Sequence, residues 1–344
     1  MNVCLIDADS VIPNIPLMRL ATYHKDKGDR VTLVKANLPY YPVRKKIPYR
    51  EVMGSDLTYA SVVFSGNKEY IRGRNIIFGG TGVDLTTELS EEVEMCEPDY
   101  NMYPNNDTSY GFISRGCIRN CSFCVVQKKE GKIRQVSTID AIVRHKKVKF
   151  LDNNIMALPN HKEIFRELIA KKIKCRFTAG LDIRLVDKEN SELLHKLNYI
   201  DDYVFAFDSL SIMPILEKNI NILSWRKPWD LKFCVYIHPD MPLSETIQRI
   251  EWLKERECLS FAMRDISCWK SKYSDFYTDI TSYCNRPVIY KNLTFIEFMK
   301  GIHIKEPVKT NGLRFLTDEE LVECNDGHTK TRIEANIELY KSNM

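Results

Sequence analysis

Short apolar runs along this chain alternate with longer stretches in which apolar positions recur every three or four residues. Residues 2–7 form an apolar run that reads as a buried strand. Residues 15–27 follow helical spacing, with Leu17, Leu20, Ala21 and Tyr23 on one face and Gly28 to end it. Further strands are expected at 30–34, 59–64 and 75–78, with a proline-rich segment from Pro39 to Pro48 interrupting them. Strand, helix and strand in this order predict a small α/β unit with an open parallel sheet over residues 1–83. Gly79-Gly80-Thr81-Gly82 closes its last strand. Such a run can bring backbone N–H groups to a phosphate, but it lacks the lysine of a phosphate-binding loop, and a turn needing positive φ is the plainer reading.

Residues 84–109 read as an acidic connection passing over the surface. Beyond it the two periods alternate again. Strands are expected at 111–114, 149–153, 176–181, 203–208, 232–238 and 259–264, and helices at 137–146, 161–172, 188–197, 211–217 and 243–257. Alternation of this kind requires parallel strands joined by right-handed crossovers. It does not by itself separate a barrel from a doubly wound sheet. Five of the strands turn from apolar to polar at their C-terminal ends: Asp152 and Asn153, Asp182 and Arg184, Asp208, His238, and Asp265. A single polar strand end is commonly a helix cap, as Asp208 before Ser211 would be, and Asp182 with Arg184 would serve as an ordinary ion pair. Five at one end point to a ligand site. From residue 269 to 344 the pattern loosens into an aromatic-rich segment, with helices expected at 295–300 and 318–324, that is read as a cap over the preceding domain.

Composition narrows the classes. With 44% hydrophobic residues in 344, the chain is an ordinary globular protein long enough for two domains. Eleven cysteines at this length fall far below the density of a disulfide scaffold, so the thiols are expected to be reduced. No apolar run approaches the roughly 18 residues that span a bilayer, and a cytoplasmic protein with no membrane partner is expected. Net charge is only +4, but residues 115–149 carry ten Lys/Arg against Glu130 and Asp140, while 84–107 carry eight acidic residues and no Lys/Arg. The basic stretch reads as a solvated face, with an anionic partner such as a nucleotide or RNA as the alternative.

The most specific feature is Cys117-Ile118-Arg119-Asn120-Cys121-Ser122-Phe123-Cys124. Structural zinc sites pair C-x2-C with a second Cys/His pair, and ferredoxin-type clusters take four cysteines; no fourth follows Cys124 before Cys175. Three thiolates on one loop suit three irons of a cubane cluster, with the fourth iron left open. Cys258, Cys268, Cys284 and Cys324 are too widely spaced for a second cluster and read as buried small hydrophobes. Cys324 with His328 has a zinc-like spacing without a partner pair.

These residues resemble the radical S-adenosylmethionine (SAM) enzymes, whose hallmark is C-x3-C-x-aromatic-C, with Phe123 as the aromatic residue. The preceding Tyr-Gly-Phe-Ile-Ser-Arg-Gly is similar to the first barrel strand of members that carry an N-terminal cobalamin-binding-like domain. The resemblance implies an α/β architecture in which a small Rossmann-like domain (1–83) and a linker (84–109) precede a partial (β/α)6 barrel (110–268) and a C-terminal cap of α+β type (269–344). It implies a [4Fe–4S] cluster on Cys117, Cys121 and Cys124, with Phe123 packed beside the cluster and the adenine. It further implies SAM contacts from Asp152 and Asn153 at the amino group, from Asp182 and Arg184 at the carboxylate and ribose, and from Asp208. An external electron donor of flavodoxin or ferredoxin type would reduce the cluster, and the radical released from SAM would take hydrogen from a small-molecule, nucleotide or RNA substrate. The D-x-H-x-x-G signature of cobalamin binding is absent, since Asp7-Ala8-Asp9-Ser10-Val11-Ile12 stands in its place and His24 lies inside a predicted helix. Cobalamin is thus left as a ligand only without that histidine. Two other readings use the same residues: a zinc-binding nucleic-acid module around the basic run, and a non-catalytic cobalamin- or SAM-binding protein.

Overall fold

A computed structural model describes residues 1–38, 54–223, 225–301 and 327–344. The Pro39–Pro48 segment, the helix expected at 318–324, and Cys324 lie outside these residues, as does the His328 side chain. The chain is an α/β protein with several parallel sheets. Its described residues divide into two compact units, Met1–Leu151 and Asp152–Met344. No helix among the described residues is long and apolar enough to cross a membrane.

The first unit is built on a four-stranded sheet of β1 (Asn2–Asp7), β2 (Arg30–Lys35), β3 (Leu57–Ser61) and β4 (Ile76–Gly79) in the order β2-β1-β3-β4, with every pairing parallel. β1 is central, and its alternating side chains supply two cores. Cys4 and Ile6 pack with Val34, Ala60 and Val62, whereas Val3 and Leu5 pack with Leu17, Leu20 and Ala21. That is why residues 3–7 read as a continuous apolar run rather than an alternating one.

The second of those cores is closed by α1 (Ile15–Asp26). Asn14 caps it by accepting from Leu17 N at 3.2 Å, Pro16 sits in the first turn, and Gly28 at φ +81° carries the chain out. The acidic residues 84–107 are held against the same helix. Lys25 pairs with Asp99 at 2.6 Å, Arg19 with Glu94, and Thr22 Oγ1 donates to Glu97 O at 2.7 Å, while Val93 joins the core.

After this stretch come β5 (Thr108–Gly111), β6 (Ser114–Arg115), β7 (Arg134–Gln135) and β8 (Lys147–Phe150), with β5 parallel to β8 and β6 antiparallel to β7. The helix expected at 137–146 is cut to Ile139–Ile142. Ser109 Oγ accepts from Arg144 N at 2.8 Å and His145 N at 2.9 Å, drawing off two N–H groups that a longer helix would use internally.

In the second unit, β9 (Lys174–Phe177) runs parallel to the segment that follows it through the bridges Cys175↔Tyr199 and Leu181↔Phe205. β10 (Tyr203–Ala206), β11 (Leu231–Ile237) and β12 (Leu259–Arg264) then pair in parallel, each with its successor. Between them run α2 (His161–Ala170), α3 (Lys188–Lys196), α4 (Met213–Ile222) and α5 (Leu243–Glu255), close to the expected spans. The loosely patterned C-terminal stretch holds α6 (Ser274–Cys284), α7 (Pro287–Asn292), α8 (Phe295–Gly301) and α9 (Gly327–Asn343). Its Phe276, Tyr277, Tyr283 and Tyr290 are at most 1% exposed, so these rings are core and are closed to a stacking base.

Candidate functional site

The three motif cysteines lie in the first unit on a loop hung between the two-residue strands β6 and β7. Gly116 opens the loop at φ +83°, where an added Cβ would stand 2.3 Å from Lys132 O, so only glycine lets the two ends of the loop meet. Cys117 N donates to Gly131 O at 3.2 Å. Glu130 accepts from Arg115 Nη1 at 2.8 Å and from Gly116 N at 3.0 Å, and the Arg115 guanidinium lies 3.4 Å from the centre of the Phe112 ring. Gln127 donates to Cys117 O, and also to Arg119 O at 3.0 Å. Glu130 and Gln127 went unread in the sequence because a short polar helix after a cysteine motif looks like any solvated turn.

Cys117, Cys121 and Cys124 are free thiols, the first two half-buried and the third exposed. Arg119 N donates to Cys117 Sγ at 3.3 Å, and Cys124 N to Cys121 O at 3.0 Å. Ile118, Phe123 and Val125 on the same loop are 49%, 42% and 53% exposed. Among the described residues no three His, Cys, Asp or Glu side chains stand together as a ready-made metal site. The donor set nonetheless fits an iron–sulfur cluster: three thiols outside any disulfide, within reach of solvent, one already accepting a backbone N–H of the kind that tunes cluster potentials.

The strand-end residues lie in the second unit, and several of them meet. Asp182 is buried; it accepts from Arg184 Nε at 2.6 Å, Arg184 N at 3.2 Å and Asn154 Nδ2 at 3.2 Å. The expected ion pair is therefore formed, and Asn154 joins it. Asp152 is fully buried and Asn153 half-buried beside it in sequence. Asp208 does not cap the helix that follows; Ser209 does, by accepting from Ser211 N at 3.2 Å. Burial raises the Asp208 pKa, opposed by the charges of Arg249 and Arg184 and reinforced by that of Asp182. Arg249, unread in the sequence, is wholly buried in α5 and donates to Phe207 O at 2.9 Å and Tyr236 O at 3.0 Å. Its signal was there: an arginine between Thr246, Ile247, Ile250 and Leu253, on the apolar stripe of a helix.

The remaining cysteines behave as small apolar residues. Cys258, Cys268 and Cys284 are at most 1% exposed, and burial pushes their thiols up to about 12, 11 and 12.

The end of β1 does not fit a histidine-ligated cobalamin. His24 is buried, with Nδ1 2.8 Å from Asp29 Oδ2 and Nε2 3.2 Å from Tyr59 Oη. Asp9 accepts from Val63 N at 2.8 Å, Phe64 N at 3.0 Å and Asn67 Nδ2 at 2.9 Å. In the glycine run, a Cβ on Gly80 would meet Val62 O at 2.3 Å and one on Gly82 would meet the Phe64 carbonyl carbon at 2.6 Å. These glycines are needed for packing one loop on another.

Neither a scan against protein-family models nor a search of curated proteins finds a match to this chain. The functional reading accordingly rests on its own residues.

Proposed function

We propose that the chain is a radical SAM enzyme in which Cys117, Cys121 and Cys124 hold a [4Fe–4S] cluster. The observation that carries this reading is a loop presenting three reduced, solvent-reachable thiols at the motif spacing, pinned by a glycine that no other residue can replace. When bound, the cluster supplies the single electron that cleaves SAM and so starts radical chemistry on a substrate. The chain's part is to bind and orient. Arg119 N–H steadies the Cys117 sulfur, and the exposed Phe123 ring borders the metal loop. By the resemblance, Asp152, Asn153, Asp182, Arg184 and Asp208 hold SAM, and the Asp182–Arg184–Asn154 hydrogen bonds fix the first of these groups before a ligand arrives. The electron comes from an external donor of flavodoxin or ferredoxin type. The substrate is a small molecule or a nucleotide.

The strand order supports the partial (β/α)6 barrel as the architecture of this enzyme. In the second unit each parallel strand lies beside its successor, as barrel strands do, whereas a doubly wound sheet reverses direction at its middle. The sheet β2-β1-β3-β4 with α1 supports a small Rossmann-like domain before it.

Anaerobic reconstitution with iron and sulfide tests the reading. Expected are about four irons per chain with a broad absorption band, and 5′-deoxyadenosine on adding SAM and a reductant; Cys121→Ala loses both. A stoichiometric zinc content with no visible band, or an iron-loaded protein that never cleaves SAM, overturns it.

A further inference from the structure

A parallel sheet is normally covered on both faces, because its crossover connections lay helices on each side. The sheet β10–β12 is not. Leu231, Phe233, Val235 and Ile237 alternate along β11 at no more than 2% exposure, and α5 and α6 pack on this part of the sheet. On the opposite face the register sets Cys234 between Ala206 and Phe261, and Tyr236 beside Met263. Phe261 and Met263 are 39% and 47% exposed, and Cys234 is only half-buried. Two large apolar side chains, neighbours on one face of a parallel strand, are thus left open.

The pairing continues past the named strands, since Phe207 N donates to Cys234 O at 2.8 Å and Asp265 N to Ile237 O at 2.9 Å. It brings Asp208 and Asp265 to the C-terminal rim of the open face. Asp265 is engaged, accepting from Tyr236 Oη at 2.8 Å and Ser267 N at 2.8 Å. Asp208 is half-buried, and among the described residues no hydrogen bond reaches its carboxylate.

These groups select a ligand by elimination. The cations near the face are committed: Lys232 pairs with Asp202 at 3.5 Å, and Arg264 donates to Thr278 Oγ1 at 2.8 Å and stacks on Trp269. An anion would face Asp208 without a counter-charge. A hydrocarbon would cover Phe261 and Met263 but seal Asp208 from water with no donor, at a cost of about 1–3 kcal/mol or more. A flat ring with an N–H group satisfies both, since aromatic and thioether side chains favour ring contact and a carboxylate accepts from amino and ring N–H groups.

We propose that the open face of β10–β12 binds a planar nitrogen heterocycle of the nucleobase type, with its ring against Phe261 and Met263 and an N–H donated to Asp208. That this ring belongs to the substrate rests on the function proposed above; the binding itself does not. The test therefore uses the full-length chain without added iron or SAM. Cys234 lies on the floor of the face as a reporter, and because burial beside Asp208 pushes its thiol up to about 11, alkylation with N-ethylmaleimide is run at alkaline pH and read at this residue by peptide mass spectrometry. Adenosine, guanosine and cytidine serve as separate probes. At least one should slow Cys234 alkylation about tenfold at saturating concentration, and Phe261→Ala and Met263→Ala, both at exposed positions, should each abolish the protection while leaving the unprotected rate intact. No protection by any probe overturns the proposal, as does protection that survives both substitutions. A Cys234 that stays unreactive without any probe means that the face is covered by protein, and overturns it equally. Failure of cluster assembly leaves this outcome unchanged, so the two readings fail separately.

Discussion

Replacing Arg249 with methionine probes how the strand ends of the second unit are held. The side chain is wholly buried within α5, and its guanidinium reaches Phe207 O at 2.9 Å, Tyr236 O at 3.0 Å and Glu245 O at 3.3 Å. Burial lowers its pKa to about 10, opposed by Glu245 and Asp208, so the group is still charged at neutral pH. Methionine keeps much of the length and none of the donors. Two strand-end carbonyls then lose charged hydrogen bonds, each contributing about 1.5–3 kcal/mol. The desolvation cost of the guanidinium disappears at the same time and offsets part of this. A net loss of about 3 kcal/mol is expected in urea unfolding at unchanged m-value, with Arg249→Lys, which can reach one carbonyl, losing about half as much. A second arm isolates the charge. Arg249 is the largest influence opposing the raised pKa of Asp208, so adding Asp208→Asn to Arg249→Met should make the double variant more stable than the sum of the single losses. A loss under about 1 kcal/mol for Arg249→Met, or strict additivity in the cycle, refutes the idea that this arginine pins the strand ends and steadies Asp208.

Two further outcomes follow from the first unit. Gly116→Ala places a Cβ 2.3 Å from Lys132 O at φ +83°, and should cut the iron taken up in reconstitution by more than half while the urea midpoint of the protein moves little; full iron loading would show that the loop tolerates a side chain there. Asp7 has its pKa raised by burial, partly relieved by hydrogen bonds from Ser10 and Tyr103. Because the folded state binds this proton more tightly than the unfolded chain, wild-type stability from this group falls as pH rises above the ordinary carboxyl value and through the raised one. Asp7→Asn lacks that linkage, so the difference in urea midpoint should shift in favour of the variant as pH rises through this window; a pH-independent difference would refute it.

The sheets were legible where one principle decided the pattern. β1 shows as an apolar run because both of its faces are buried, and α1 shows because its cap, its stripe and Gly28 agree. The spacing of Cys117, Cys121 and Cys124 carries its chemistry without any fold. Helix α6 was missed although Phe276, Ile280, Tyr283 and Cys284 are buried at helical spacing, because Thr, Tyr and Ile are poor helix formers and only burial against β12 overrides them. The shortened helix at Ile139–Ile142 was illegible for a different reason: the hydroxyl that ends it, Ser109, lies thirty-five residues from Arg144 in sequence. Nor does any local pattern reveal which face of β11 stays open. Lys232, Cys234 and Tyr236 alternate with apolar residues as on any half-buried strand, and the exposure appears only when the register aligns them with Phe261 and Met263.

The two parts of the proposed site differ in what holds them, and this bears on the order in which they form. Asp152, Asp182 and Arg249 are buried among strand ends and helices, so their positions are fixed by the packing that folds the second unit. The cysteine loop hangs from a two-residue ribbon, is tied by Gly116, Gln127 and Glu130, and leaves Ile118, Phe123 and Val125 open. Few buried apolar contacts mean low local stability, and a loop of this kind gains order from what it binds. On the proposed reading, metal uptake and the ordering of residues 117–125 are one event, while the residues assigned to SAM are in place beforehand. Hydrogen exchange of the reconstituted protein against the metal-free chain should then show protection gained in the cysteine loop and little change at Asp182 and Arg249. Equal protection of the loop in both forms would mean that the thiols are held by the fold alone.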